Sequence, residues 1–207
     1  MRRRRTPPFV AGGLAALLVA FATACASAPP RPYEPRLVDV PDDEPYQHPF
    51  SNVQFEPRAG VLVRSDIVAH DAEGLGVSAY YRSPMFGATA EANFYPGTSH
   101  DALTDAEVGA HVRALERAVA RSLPGAEVVE RGEDTWVVNG ADLHGFHTGY
   151  ALPRVGDVDE PMESHLYVFP AGSWYLEFRI MYPADMSDDV RPQIARFLGA
   201  QWWSEAE

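Results

Sequence analysis

The chain has 207 residues, enough for one ordinary domain plus a leading segment, and it carries no internal repeat. Its 17 basic residues, all arginine, stand against 29 acidic ones for a net charge of −12. So acidic a chain does not suit a phosphate backbone, and no nucleic-acid partner is expected. Cys25 is the one cysteine, which excludes an internal disulfide and leaves the domain to its core.

Arg2 to Arg5 form a positive leading region, and Phe9 to Phe21 an apolar run interrupted only by Gly12 and Gly13. At 13 residues this run is shorter than the roughly 20 a membrane-spanning helix needs. A basic start, a short apolar run and then Ala22, Thr23 and Ala24 make a secretory signal. Those small residues before Cys25 resemble the lipobox of bacterial lipoprotein signals, with Ala22 where leucine is usual. The resemblance implies cleavage after residue 24 and acylation of Cys25, which thereby contacts the membrane through lipid. Two or more chains give stable anchoring. Ala26 and Ser27 follow with no aspartate, which by the same resemblance favours the periplasmic face of an outer membrane. Loss of four arginines leaves 13 basic against 29 acidic residues, a mature charge near −16.

Residues 25–45 read as a tether rich in proline, and 46–207 as a single domain. Gly60 to His70 and Leu75 to Arg82 alternate as two strands around Asp71-Ala72-Glu73-Gly74, a hairpin. Phe86 to Tyr95 is a third strand, stopped by Pro96-Gly97. Thr104 to Leu123 is a helix: Thr104 and Glu107 make a capping box, and Val108, Val112, Leu115 and Val119 form one apolar stripe. Glu127 to Arg131 and Thr135 to Asn139 read as separate strands, with Asn139-Gly140 a hairpin turn. Ala141 to Leu152 continues the sheet, 155–161 is an acidic loop, and Glu163 to Phe169 and Ser173 to Tyr182 close it. A second helix spans Ser187 to Trp203, with Ser187 as cap and Pro192 an obstacle that delays its regular part.

Strands, helix, strands, helix with many hairpins predict an α+β fold. The early hairpin, the strand ending Phe94-Tyr95-Pro96-Gly97, the central helix, the segment Gly172 to Arg179 and the closing helix resemble the Mog1/PsbP-like family. The resemblance covers about residues 48–203. It implies an α/β/α sandwich with a central antiparallel sheet and a non-enzymatic binding or assembly role, here in an exported protein.

No catalytic or cofactor motif is present: no G-x-S-x-G, H-E-x-x-H or phosphate-binding loop. His147 and His165 are the weak metal candidates. His144 shares a strand with His147, but residues three apart face opposite ways unless Gly145 bulges. A second set lies on the polar parity of the strands: Arg64, Tyr80, Arg82, Glu91, Asn93, Glu177 and Arg179. On one face these would line a cleft for a polar or anionic ligand, arginine supplying a planar fork of donors. The alternative is a structural network of Arg–Glu pairs under a helix or loop. Two functions follow. One is a lipid-anchored envelope module that binds a protein or small molecule without catalysis. The other is an exported metal-dependent hydrolase using His147, His165 and Glu177.

Overall fold

The computed structural model describes residues 34–139, 141–153, 155 and 160–201. The signal segment, Cys25, the start of the tether, most of the acidic loop and Trp203 lie outside the described residues.

Four two-residue strands come first: β1 (Arg36–Leu37), β2 (Tyr46–Gln47), β3 (Gln54–Phe55) and β4 (Arg58–Ala59). Three longer strands follow, β5 (Leu62–Ala69), β6 (Val77–Ser83) and β7 (Ala88–Pro96), then helix α1 (Asp105–Ser122). The second half is β8 (Glu127–Val138), β9 (Ala141–Leu152), β10 (Met162–Ala171), β11 (Trp174–Pro183), a 3-10 turn at Ala184–Met186 and α2 (Ser187–Ala200). Nine strands form one antiparallel sheet in the order β1-β5-β6-β7-β11-β10-β9-β8, with β4 also on β5; β2 and β3 pair separately. After the β5–β7 meander, α1 carries the chain across to the far edge. Strands β8 to β11 then step back until β11 meets β7.

The expected α+β class, an α/β/α sandwich, is not what forms. Strands hold 47% of the described residues and helices 22%, so the fold is β-rich. Long strands are the reason. The region around Gly132-Glu133-Asp134, expected to break, runs straight through as the 12-residue β8, paired along its length with β9. One helix on each face covers part of a nine-stranded sheet and makes no helical layer.

The two faces differ. On one, α2 buries Val190, Ile194, Phe197 and Leu198 against Tyr81, Phe169, Leu176, Phe178 and Ile180. On the other, α1 buries Val108, Val112 and Leu115 against Tyr150, Leu152, Met162, Leu166 and Val168. Each fully buried Leu, Val or Phe of this kind contributes about 1.5–3 kcal/mol. The capping box of α1 forms as expected. The Glu107 amide donates to Thr104 Oγ1 at 3.3 Å, and the Thr104 amide donates to Glu107 Oε2 at 2.8 Å. In α2 the expectation fails in two details. The helix is regular from Ser187 onward through Pro192, held by its buried stripe, and Ser187 caps nothing: its hydroxyl donates to Glu163.

Part of the expected tether joins the domain. Arg36 and Leu37 pair with Ala69 and Val68, and the Val38 amide donates to Ile67 O at 2.9 Å. Asn139 takes the left-handed backbone (φ 51°) that the β8–β9 turn requires. At Gly145 the backbone of β10 comes so close that a Cβ would lie 2.2 Å from Val168 O, so only glycine fits.

Candidate functional site

Strand register divides the sequence candidates between the two faces. Tyr80 pairs with Glu91 and Glu91 with Arg179; Ser78 pairs with Asn93 and Asn93 with Glu177. These stand on the α1 face, where their side chains bond to each other. The Arg179 Nε donates to Glu177 Oε1, and the Tyr95 hydroxyl donates to Glu177 Oε2. Tyr95 also meets His111 Nε2 of α1 at 2.7 Å. The Ser78 hydroxyl donates to Asn93 and meets His70 Nε2 at 2.6 Å. Burial lifts the Glu91 carboxyl, with Arg179 pulling it back down and Glu177 adding to the rise. Burial opposes the charge on Arg179, but Glu177 and Glu91 outweigh it and raise its pKa. Tyr80 is pushed up to about 12 by burial and then by Glu91. Arg82 lies at the exposed margin of this face, 3.5 Å from Asp66.

Arg64 is not in this group. A bulge between Arg64 and Asp66 turns it away from Tyr80 and Arg82. Its guanidinium is buried and donates to the carbonyls of Phe55 (2.8 Å), Pro41 (3.0 Å) and Glu44 (2.7 Å).

The histidines meet on the α2 face. His147 Nε2 lies 2.9 Å from His165 Nδ1, with the rings nearly parallel. His165 Nε2 lies 2.8 Å from the Tyr182 hydroxyl, which donates to Glu163 Oε2 at 2.9 Å. Glu163 also accepts from Ser187 (3.1 Å) and Arg191 Nη2 (3.1 Å) of α2. Burial raises the Glu163 carboxyl, but the bonds from Tyr182, Arg191 and Ser187 hold it below the usual range. Burial and neighbouring His147 push His165 down to about 4, so its imidazole is neutral at pH 7. Burial also lowers His147, against the pull of Glu130 and Asp134. Glu130 of β8 completes the group, its Oε1 3.9 Å from His147 Nδ1.

Glu177, expected to join the two histidines, stands on the opposite face: it pairs with Val168, whereas His165 and Tyr167 alternate with Val168 on β10. His144 also points away from His147, as the strand period requires, and bonds Thr135 Oγ1 at 3.1 Å. Sequence reasoning missed Glu130, Tyr182 and Glu163. Glu130 reaches this face by unbroken alternation with Gly132, Asp134, Trp136 and Val138 along β8, which the break expected at Gly132-Glu133-Asp134 concealed. Tyr182 and Glu163 were legible as strand residues of matching parity, but only the register makes them neighbours.

No protein-family model and no curated protein matches this chain. Its functional reading therefore rests on sequence pattern and geometry. No helix among the described residues is long and apolar enough to cross a membrane.

Proposed function

We propose that this chain is a cell-envelope lipoprotein, anchored through lipid on Cys25 at the periplasmic face of an outer membrane, whose β-rich domain binds or assembles with an envelope partner without catalysis. The observation that carries it is the order of Arg2 to Arg5, the apolar run Phe9 to Phe21, and Ala22-Thr23-Ala24 before the one cysteine. The strongly acidic mature chain repels anionic lipid, so acyl chains and not the domain surface supply the attachment. A binding role draws support from the α1 face. Its charged groups, Glu91, Glu177 and Arg179, are engaged with one another and with Tyr80 and Tyr95. That arrangement serves rigidity and directs the search for a partner to the outer surface.

The test is metabolic labelling with an alkyne fatty acid in a bacterial host, followed by membrane fractionation. Wild-type chain is expected to take the label and sediment with membranes, and Cys25→Ser to do neither. An unlabelled wild-type chain released in soluble form would remove the anchor. A pull-down from solubilised envelopes that recovers no specific partner would remove the binding role.

A further inference from the structure

We infer that Glu130, His147 and His165 form a binding site for one divalent transition-metal ion of the zinc class. This goes beyond the envelope role and does not depend on the lipid at Cys25.

Three strands bring the group together. Glu130, Gly149 and His165 lie in one cross-strand row over β8, β9 and β10, and His147 lies in the next row between Gly132 and Tyr167. Donor atoms of the three side chains all lie within 4.8 Å of one another. Two ligands about 2.1 Å from one metal, at angles of about 90–110°, are about 3.0–3.4 Å apart. His147 Nε2 and His165 Nδ1 stand 2.9 Å apart, so an ion replaces their shared proton with an opening of a few tenths of an ångström. Imidazole nitrogen with carboxylate oxygen is a donor set that suits zinc and its neighbours.

The outer groups are already arranged for ligation. Ionised Glu163 can only accept, so Tyr182 donates to it and must accept from His165 Nε2–H. That fixes the His165 tautomer, leaving the Nδ1 lone pair aimed at His147. A ligating histidine whose second nitrogen is held by a hydrogen-bonded group is the usual support of a metal site. Arg191 and Ser187 fix Glu163 in turn, so α2 stiffens the arrangement.

Gly149 leaves the space, and the strand position across from His147 is open. A Cβ at Gly149 would come 3.2 Å from Glu130 Cβ and 3.5 Å from the His165 ring, crowding the meeting point. A Cβ at Gly132, directly across from His147, would meet nothing within 4 Å. The site is buried at His165 (3% exposed) and opens to solvent at Glu130, whose side chain is 51% exposed. An ion enters past the glutamate, and a fourth position remains for water.

The experiment is calorimetric titration of Zn²⁺ into the full chain, purified from membranes in detergent and stripped with chelator, with Co²⁺ absorption as a second readout. One Zn²⁺ per chain is expected, with Co²⁺ giving the visible bands of a low-coordinate N/O site. His147→Gln and Glu130→Gln should each weaken binding at least ten-fold. Tyr182→Phe, which touches no metal, should weaken it about 10–100-fold by freeing His165. Glu130→Gln keeps the test decisive if a histidine variant fails to fold, because Glu130 sits at the solvent rim. Absence of saturable binding at one ion per chain overturns the site. So does zinc binding that survives both Glu130→Gln and His147→Gln unchanged.

Discussion

Tyr182 stands between a buried imidazole and a carboxylate held by α2: its hydroxyl accepts from His165 Nε2 at 2.8 Å while donating to Glu163 at 2.9 Å. This one oxygen couples the centre of the sheet to the start of the last helix. Tyr182→Phe keeps the packed ring, which is fully buried, and removes only the hydroxyl. The His165 N–H is then buried without a partner. Such a group costs about 1–3 kcal/mol, and that loss is expected in urea unfolding of the chelator-treated protein. An unchanged midpoint would mean that water replaces the hydroxyl.

On the other face, Glu177 is 2% exposed and accepts from both Arg179 and Tyr95. Glu177→Ala removes the acceptor of two donors at once and leaves Arg179 facing only Glu91. A fully buried pair broken this way loses about 3–5 kcal/mol. Arg179 keeps 44% of its side chain exposed and can turn to water, so the expected loss is smaller, about 2 kcal/mol. Arg179→Ala relieves no such burden from Glu177 and should cost at least as much. The order of the two variants in thermal unfolding checks whether this cluster is a self-contained network.

How much of this was legible in the sequence depends on whether a feature is local. The α1 helix was, because Thr104 and Glu107 are three residues apart and cap each other, and Val108, Val112 and Leu115 share one stripe. The alternation of β11 was also legible, from Trp174 to Tyr182. Parity carried Tyr80, Glu91, Asn93, Glu177 and Arg179 to a common face, since strand period alone decides it. A bulge defeated the same logic once: the extra residue Ser65 removed Arg64 from that face. Glu130 was missed because β8 was expected to break after Arg131, so its alternation with Trp136 and Val138 was not followed. The fold class failed for a different reason. Two helices of clear pattern were given the weight of layers, while the length of β8 to β11 was hidden by Gly132 and by polar residues that face solvent.

Arg64 gives the bulge a consequence that can be measured. Its fork ties the carbonyls of Pro41, Glu44 and Phe55 to β5, so it fastens residues 41–55 to the sheet. Arg64→Lys keeps the charge but loses the planar fork that serves three acceptors. The expected result is faster proteolytic cleavage within residues 36–55, with the core from Leu62 onward left intact. An overall loss of about 1–3 kcal/mol accompanies it. Cleavage at the wild-type rate would show that the other ties of this segment, His48 to Gly74 and the buried Val53 and Phe55, hold it without the fork.

The acid response of the domain should trace in part to His48. This ring is 1% exposed and packs among Phe94, Trp174 and Phe50. Nε2 donates to Gly74 O at 3.0 Å, and Nδ1 lies 2.9 Å from Ser51 Oγ. Burial lowers its pKa from 6.5, against weaker upward pulls from the Gly74 and Leu75 backbone and from Asp71. Below pH 6.5 the unfolded chain therefore binds a proton that the fold refuses. The stability His48 contributes is present above 6.5 and is lost as the pH falls toward its lowered folded value, by up to about 1.4 kcal/mol per pH unit. His70 and His111, also lowered by burial, act in the same direction, while Glu91, raised by burial, acts in the opposite one. Comparing wild type with His48→Gln cancels those common contributions. The unfolding free energy of wild type should fall more steeply from pH 7 to 5 than that of the variant. If the two curves run parallel over that range, His48 is not the group that titrates.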